Sequence, residues 1–227
     1  MWYVKENEIL SLLPSEDLLN LKHFGVHKLM KKGTIIYHPN DRSDYVYMIK
    51  KGLVKLARVT KEGHQISFSI LDKGMLFGEG DALNEETYTH YAETMEPSYI
   101  CAVHKADFQA LLAKYDVVNK RVTEIMYRRL KEAQEQVELL AYSDVKARLI
   151  HYLRLLKDRF GKYSEINDEE VYIIDLKISQ NELADFIATS RESVNRVLKD
   201  LKERDIIDLK GKRIVLKPAF WDIENDA

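Results

Sequence analysis

SQNELADFIATSRESVNRVLKDL, from Ser179 to Leu201, carries two helix-start signals in close succession. Ser179 and Glu182 have the S-x-x-E spacing of a capping box, in which the serine oxygen and the carboxylate each accept a hydrogen bond from the other residue's backbone N–H. Ser190 is a favoured N-cap for a second helix. The stretch therefore predicts two short helices separated by a tight turn near Ala188.

The second of these helices has one apolar face and one polar face. The apolar residues, spaced by three and four, are Val194, Val197, Leu198 and Leu201, and the polar residues left outside are Arg191, Glu192, Asn195, Arg196 and Lys199. A short helix, a tight turn and an amphipathic second helix form the layout of a helix-turn-helix, whose second helix enters the DNA major groove. We therefore predict that Arg191, Glu192, Asn195 and Arg196 read base edges.

The polar face has the chemistry that base edges require. Arginine donates two hydrogen bonds to guanine O6 and N7, and glutamate accepts one from cytosine N4, each good pair being worth roughly 1–3 kcal/mol of discrimination. The alternative is that Glu192 and Arg196, four residues apart, form only a surface ion pair worth about 0.2–0.5 kcal/mol. Charge favours the DNA interpretation, because nine basic and five acidic residues lie between Thr189 and Lys217, a net charge of +4 in a chain of net charge −2. The segment IIDLKGKRIVLK, turning at Gly211, adds a predicted basic hairpin.

The sequence from Lys31 to about His104 reads as a series of short strands rich in β-branched and aromatic residues. The predicted strands are GTIIYH, YVYMIKKG, LVKLARVT, HQISFSIL, MLFGEG and SYICAVH, separated by turns at PNDRSD, KEG, DKG and NEE. Many short strands with frequent glycines predict a small antiparallel barrel or roll. The preceding segment ENEILSLLPSEDLLNLKHF has helical spacing in two pieces that meet near Pro14.

A long helix is predicted from about Val117 to Ala141, after a short helix around Phe108 to Lys114. Its apolar stripe consists of Val118, Val122, Ile125, Met126, Leu130, Ala133, Val137 and Leu140. A long helix with such a narrow stripe needs a partner, because helix propensity alone leaves it marginal in water. We predict a homodimer seam along Val117 to Ala141. The alternative is that the stripe packs on the barrel of its own chain.

The rest of the chain predicts a compact C-terminal domain. Ser143 and Asp144 offer an N-cap for a helix from Val145 to Phe160, which Gly161 closes. KYSEINDEE is predicted as a polar loop, followed by the strand VYIIDL, the two short helices and the hairpin. The predicted architecture is α+β, with an antiparallel β-roll sensor domain in residues 1–115, a dimerisation helix and hinge in 116–143 and a winged helix-turn-helix in 144–227.

Composition and motifs exclude several classes of protein. The 227 residues, 45% of them hydrophobic, suit two soluble domains. No apolar run approaches the ~20 residues that span a bilayer, so we expect no membrane partner and a cytoplasmic location. Cys101 is the only cysteine, which excludes an intrachain disulfide. The chain has no G-x-S-x-G, phosphate-loop or H-E-x-x-H motif, and we predict that it is not an enzyme.

The segment from Ser179 to Leu216 resembles the winged helix-turn-helix of the CRP/FNR superfamily of bacterial transcription regulators. The likeness covers nearly the whole chain: the strand-rich half resembles the family's cyclic-nucleotide-binding roll, the long helix resembles its dimerisation helix, and Asp144 falls at its inter-domain hinge. The resemblance implies a homodimer that binds palindromic double-stranded DNA, contacts RNA polymerase and responds to a small effector. A regulatory cyclic-nucleotide-binding module without promoter targets is the rival class, but it would lack the helix pair and the hairpin.

The resemblance also assigns DNA contacts. In the subgroup with R-E-x-x-x-R on the second helix, these side chains read a TGTGA-like half-site, and Arg191, Glu192 and Arg196 match that pattern one for one. The turn has Ala188 where glycine is usual. The residues that the resemblance places at DNA phosphates are Ser179, Gln180, Asn181, Ser190, Lys199, Lys210 and Lys212.

The segment GMLFGEGDALNEETYTHYAETME resembles the phosphate-binding cassette of the family's roll. Glu79 stands where the family's glutamate holds the ribose, but Glu86 and Thr87 occupy the places of the arginine and serine that hold the cyclic phosphate. An acid there would repel a phosphate, so the sequence argues against cyclic AMP. The predicted effector pocket is formed by Gly78, Glu79, Gly80, Glu86, Thr87, Tyr88, Ala133 and Gln134, the last two replacing the usual Thr-Ser at the purine.

The sequence does not identify the effector. Other family members sense haem-bound gases, halogenated aromatics or 2-oxoglutarate in the same cavity. Tyr88, His90 and Tyr91 lie in the predicted cassette strand, and a histidine there is a candidate haem ligand, although a structural, hydrogen-bonded histidine is commoner. The remaining alternative is a pocket that binds nothing, with control through protein abundance. His23 and His27 lack a third metal ligand nearby, so we interpret them as surface residues.

Overall fold

The computed structural model describes Leu12 and residues 25–84, 86–166 and 168–223. The helices predicted before Phe24 lie outside these residues. The chain divides into two compact units, an N-terminal unit that ends at Leu130 and a C-terminal unit that begins at Lys131. Antiparallel strands come first, followed by a long helix and a helix-turn-helix, which confirms the predicted α+β fold.

The N-terminal unit contains two antiparallel sheets. Its strands are β1 (Gly25–Met30), β2 (Ile35–Tyr37), β3 (Tyr45–Lys51), β4 (Val54–Val59), β5 (Gln65–Leu71), β6 (Leu76–Phe77), β7 (Tyr91–Thr94) and β8 (Ser98–His104). The strand order is β1-β8-β3-β6 in one sheet and β2-β7-β4-β5 in the other. Tyr37 and Val54 from one sheet share a buried core with Ile49 and Ile100 from the other, so the strands form the predicted roll.

Two strand predictions need correction. The sequence does not predict β1, which is an edge strand whose four middle residues are exposed, so GVHKLM lacks the expected alternation. MLFGEG is predicted as one strand, but only Leu76 and Phe77 pair, and helix α1 (Glu79–Asn84) begins at Glu79. Gly78 has a φ of +77°, a left-handed conformation that suits glycine and turns the chain from strand to helix.

The long helix α3 (Asp116–Tyr142) follows helix α2 (Lys105–Lys114). Val118 and Val122 are fully buried in a cluster with Met48, Cys101 and other residues of the roll. The first part of the apolar stripe therefore packs on its own chain. Hydrophobic side chains on α3 that remain exposed include Leu130, Val137 and Leu140.

The C-terminal unit surrounds the helix pair with one helix and one sheet. Its elements after α3 are α4 (Val145–Phe160), β9 (Gly161–Ile166), β10 (Glu169–Ile174), α5 (Gln180–Phe186), α6 (Arg191–Glu203), β11 (Ile207–Lys210), β12 (Arg213–Leu216) and a 3₁₀ turn (Pro218–Phe220). Asp144 caps α4 by accepting a 2.8 Å hydrogen bond from the Ala147 N–H, as predicted. The strands are ordered β11-β12-β10-β9. The loop predicted at KYSEINDEE is wrong, because most of it forms β9, an edge strand whose exposed side chains make it read as polar.

Candidate functional site

The turn between α5 and α6 is held by two side-chain caps. Oγ of Ser179 accepts a 3.2 Å hydrogen bond from the Glu182 N–H, and the Glu182 carboxylate accepts one of 2.7 Å from the Ser179 N–H, which confirms the capping box. Oγ of Ser190 accepts from the Ser193 N–H over 3.1 Å and starts α6. Between the helices, Ala188 adopts a φ of +50°. The chain therefore reverses within four residues and presents the start of α6.

Helix α6 buries one face and exposes the other, as its sequence predicts. The buried residues are Val194, Val197, Leu198 and Leu201, and the exposed ones include Arg191, Glu192, Asn195, Arg196 and Lys199. Within the described residues, neither Glu192 nor Arg196 forms an ion pair, so the alternative of a Glu192–Arg196 surface pair does not apply. The two side chains remain available at the surface.

Four of the seven phosphate candidates line a cleft beside this face. The cleft has a volume of about 440 Å³ between the wing hairpin β11–β12 and the first turns of α5 and α6. Its lining includes Ser179, Gln180, Asn181, Arg191 and Lys212. The Lys210 side chain lies at the exposed hairpin turn, and the Lys199 ammonium is 3.6 Å from Glu203 on α6.

One contact joins the two predicted sets of DNA-binding residues. Nε2 of Gln180, a phosphate candidate, donates a 3.2 Å hydrogen bond to Oδ1 of Asn195, a base-reading candidate. The sequence does not predict this bond, because the two residues lie fifteen positions apart on different helices. Asn195 is therefore oriented by a neighbour before any DNA is bound.

Ion pairs neutralise several basic residues of the C-terminal unit and leave others, among the described residues, without an acidic partner. The pairs that neutralise basic residues in this region are Lys202–Asp208 at 2.9 Å, Arg204–Asp200 at 3.7 Å, Arg213–Asp175 at 2.8 Å and Lys217–Asp205 at 2.5 Å. A hydrogen bond from Lys202 lowers the pKa of Asp208, which keeps that carboxylate charged. In the part of the chain that the structure describes, Arg191, Arg196, Lys210 and Lys212 have no acidic partner. Part of the uncompensated positive charge thus lies on the exposed face of α6 and on the wing.

Helix α5 is supported from behind by α3 and α4. The Tyr152 ring of α4 stacks on Phe186 with centroids 4.9 Å apart, and burial raises the pKa of Tyr152. Nε2 of Gln136 on α3 donates a 3.2 Å hydrogen bond to the carbonyl of Phe186, the last residue of α5. These contacts hold the end of α5 against α3 and α4.

In the roll, the cassette residue Glu79 is hydrogen-bonded to Arg129, which the sequence does not predict as a site residue. Glu79 is 3% exposed, and its Oε1 accepts a hydrogen bond from the Arg129 guanidinium, which also donates to the carbonyl of Leu76. Oε2 of Glu79 has no hydrogen-bond partner among the described residues. The sequence signal was available, since Arg129 lies one helical turn before the pocket candidate Ala133.

The residues predicted to face a phosphate form no cationic site. Glu86 is exposed, and Thr87 pairs through its backbone with Arg42. The Arg42 guanidinium turns to Asp44 at 3.3 Å. Of the other pocket candidates, Gly78 is buried and Gly80 exposed, while Ala133 and Gln134 are exposed on α3 beyond Leu130, in the C-terminal unit.

Aromatic side chains fill the space between the two sheets of the roll. Tyr88, 2% exposed, stacks on Tyr37 with ring centroids 3.8 Å apart, and its hydroxyl donates to the Tyr45 carbonyl over 2.6 Å. Tyr47 stacks on Phe77 at 5.0 Å. Burial raises the pKa of both Tyr37 and Tyr88, so these phenols stay neutral. Tyr88 is therefore part of the core.

His90 precedes β7 and is bonded at both ring nitrogens. Nε2 lies 2.9 Å from the Tyr37 hydroxyl, and Nδ1 lies 3.2 Å from the Thr89 hydroxyl and 3.6 Å from Asp81. Burial lowers the pKa of His90, and the charges of Arg129 and Arg58 lower it further, while Asp81 and Glu79 act in the opposite direction. Tyr88 and His90 lie outside the strand that was predicted to hold them, because β7 begins at Tyr91.

The described residues contain neither a cluster of metal ligands nor a helix that could span a membrane. His27 is exposed and stacks on Tyr99 with centroids 5.8 Å apart, while His23 lies outside the described residues. The described part of the chain has no group of three or more His, Cys, Asp or Glu side chains arranged to hold a metal ion. None of its helices is long and apolar enough to cross a membrane.

Comparisons with known proteins match both units. Residues 27–115 match the cyclic nucleotide-binding domain family, and residues 147–219 match the Crp-like helix-turn-helix domain family. The Cyclic AMP receptor protein of Thermus thermophilus is 29% identical over 209 residues, which cover 92% of this chain and 91% of that protein. The Global nitrogen regulator of Synechococcus elongatus is 29% identical over 188 residues, which cover 82% and 83% respectively. One relative is named for cyclic AMP and the other for nitrogen, so the relatives do not fix an effector.

Solved structures share the fold. FixK2 from Bradyrhizobium japonicum superposes with a TM-score of 0.75 at 17% identity, and the match covers 89% of this chain and 98% of that one. At this identity the likeness concerns the fold alone. The order of roll, long helix and helix pair is thus common to both proteins.

Proposed function

Because the chain belongs to the CRP/FNR superfamily of transcription regulators, which bind DNA and are not enzymes, we propose that it reads a palindromic TGTGA-like site as a homodimer. The observation that carries this proposal is the exposed face of α6, where Arg191, Glu192 and Arg196 stand without ion-pair partners in the described residues. Two such helices, related by a two-fold axis, would contact half-sites about 34–36 Å apart.

The side chains on α6 divide between base reading and phosphate contact. Arg191 and Arg196 have the donor geometry for guanine, and Glu192 can accept from cytosine N4. The residues proposed at phosphates are Ser179, Gln180, Asn181, Ser190, Lys199, Lys210 and Lys212. Phosphate contacts position the protein and make its affinity salt-dependent, while base contacts select the sequence.

Replacing Arg196 by Ala tests the base-reading assignment. We expect a loss of about 1–3 kcal/mol on the preferred site and a relaxed preference at one position of each half-site, because one bidentate contact is removed. Fluorescence anisotropy on a panel of single-base variants of the site measures both effects.

Arg204→Ala is the matched control for this experiment. Arg204 is the C-cap of the same helix, is paired with Asp200 and lies at the other end from the base-reading residues. It should leave the sequence preference unchanged. If Arg196→Ala weakened binding to every sequence equally, the base-reading role of Arg196 would be wrong.

The dimer proposal rests on the second part of the α3 stripe. Met126, Leu130, Ala133, Val137 and Leu140 alternate in steps of four and three, the spacing of a coiled-coil seam. Leu130 and Val137 are more than half exposed in the single chain. A second copy of the helix would cover them. Contact with RNA polymerase and a cytoplasmic location are proposed from the family alone.

We propose further that the roll does not take cyclic AMP. An exposed glutamate, Glu86, stands where a buried phosphate would need a cation, and Arg42 is turned to Asp44. Haem is disfavoured too, since both ring nitrogens of His90 have protein partners. Calorimetry with cyclic AMP at submillimolar concentration should give no saturable heat. The same sample should still bind its DNA site, and a clear isotherm would contradict the proposal.

A roll without any effector is the second candidate, and the aromatic packing favours it. Tyr37 and Tyr88 stack between the sheets, and Arg129 already satisfies one oxygen of Glu79. In this case the protein would bind DNA as purified, and its abundance would set its activity. Native mass spectrometry of the purified protein distinguishes the two, because a retained small molecule would exclude the effector-free state.

A further inference from the structure

The hydrogen bond between Gln180 and Asn195 connects α5 and α6 at the surface proposed to bind DNA. Gln180 is the first residue of α5 and is partly buried in the cleft beside Arg191, while Asn195 is exposed on the polar face of α6. The Gln180 amide donates to the Asn195 amide oxygen over 3.2 Å. Gln180, which lines the cleft, thus orients the side chain of Asn195, a base-reading candidate.

The direction of this bond decides what Asn195 can recognise. Asparagine reads adenine by two hydrogen bonds at once, accepting from N6 and donating to N7. An amide oxygen has two acceptor sites. Oδ1 of Asn195 can therefore keep its bond to Gln180 and still accept from adenine N6, while Nδ2 donates to N7. In the direction that the structure shows, Gln180 donates to the oxygen of the Asn195 amide, and this bond sets the order in which Asn195 presents its donor and acceptor.

We propose that Gln180 is a positioning residue that orients Asn195 to read one adenine in each half-site. The inference rests on the proposed function, since it requires sequence-specific DNA binding. Arg191, Glu192 and Arg196 have the chemistry for G·C pairs, so the Asn195 amide supplies the selection of an A·T pair that they do not. Orienting the amide before binding also reduces the side-chain entropy lost on forming the complex.

Asn181 provides a matched control for Gln180. It is the next residue of α5, carries the same amide group and lines the same cleft. Among the described residues its side chain forms no hydrogen bond or ion pair with α6. A general effect of removing an amide from this cleft would therefore appear in both variants, whereas an effect transmitted through Asn195 would appear only at Gln180.

The experiment is selection of DNA sites from a random library, followed by titrations on sites that differ at single base pairs. Asn195→Ala should reduce the preference for adenine at one position by about tenfold, the value expected for a bidentate pair. Gln180→Leu should remove most of that preference at the same position and leave the others unchanged. The double variant should be no worse there than Asn195→Ala. Asn181→Ala should weaken binding to all sequences alike.

Gln180→Glu tests the orientation itself. A carboxylate can only accept, so it would turn the Asn195 nitrogen inwards and reverse the donor and acceptor order. The adenine preference should then be lost although the two side chains remain in contact. Retained adenine preference in this variant would contradict the proposal.

Three other outcomes separate the inference from the proposed function. Equal losses at every position in Gln180→Leu, with the adenine preference kept, would leave Gln180 its proposed phosphate contact alone and overturn its positioning role. Additive losses at the adenine position in the double variant would overturn it as well. A wild-type protein that selects no sequence would overturn the proposed function, and the base assignment with it. Circular dichroism confirms that each variant is folded.

Discussion

Ala188, in the turn between α5 and α6, adopts a left-handed backbone conformation. Its φ is +50°, and the N–H of the next residue, Thr189, donates to the Ala184 carbonyl over 3.1 Å. An L-residue in this left-handed region costs roughly 1–2 kcal/mol, whereas glycine adopts it freely. The turn therefore keeps the geometry of a glycine turn while it carries the strain of an alanine.

Ala188→Gly should raise the free energy of unfolding of the C-terminal unit. The gain should be roughly 0.5–1 kcal/mol, because the relief of backbone strain exceeds the extra entropy of glycine in the unfolded chain. Urea denaturation followed by circular dichroism measures it. Ala147→Gly, in the first turn of the regular helix α4, is the control and should lower the stability by up to about 1 kcal/mol. A destabilised Ala188→Gly would show that the turn is not strained.

Residue-scale features were predictable where the interacting groups are close in sequence. The caps at Asp144, Ser179 and Ser190 follow from residue types within three positions, and the structure confirms each of them. The contact between Arg129 and Glu79 spans fifty positions and arises only when α3 packs on the roll. The place of Arg129, one helical turn before the pocket candidate Ala133, was a signal for a pocket residue, but no local pattern gives Glu79 as its partner.

Elements were predictable in proportion to the strength of their periodicity. The helices α3, α4 and α6 and the wing hairpin have regular apolar spacing, and they begin and end close to where the sequence predicts. The edge strands β1 and β9 are different, because one flank of each has no neighbouring strand and at least half of the residues in each are exposed. Exposure removes the alternation that identifies a strand.

His90 links two elements of the roll, β2 and α1, and should make the stability of the roll depend on pH. Burial lowers its pKa, so the folded state binds fewer protons than the unfolded state near neutral pH. The stabilising contribution is complete above the unfolded pKa of about 6.5 and is lost as the pH falls below it. The free energy of unfolding should therefore decrease from about pH 7 to about pH 5.

The variant His90→Gln should show a smaller decrease over the same range, because the neutral amide does not titrate. Urea denaturation at both pH values measures the difference between the two proteins. His151 in the C-terminal unit also has a pKa lowered by burial, but it contributes equally to both proteins and cancels. An unchanged pH dependence in the variant would exclude His90 as its source.

At the scale of the whole molecule, the apolar stripe of α3 has two parts, one covered by its own chain and one exposed. Val118 and Val122 are buried against the roll of the same chain, whereas the residues from Leu130 onwards are exposed. The exposed stripe from Leu130 to Leu140 spans about 15 Å of helix, at 1.5 Å per residue. Such a stripe costs free energy in water unless another apolar surface covers it, and its heptad spacing suits a second copy of the same helix.

Val137→Asp should separate the proposed dimer into monomers. A charge in the centre of an apolar seam is costly to bury, so we expect the dissociation constant to rise by at least about tenfold. Light scattering coupled to size-exclusion chromatography should then give the 26.6 kDa mass of one chain, where the parent protein gives twice that mass.

Val117→Asp is the control, because Val117 is also exposed on α3 but lies off the heptad positions. It should remain dimeric, as should its complex with the palindromic site. A Val137→Asp protein that stays dimeric would place the interface elsewhere, and a monomeric parent would exclude the seam altogether.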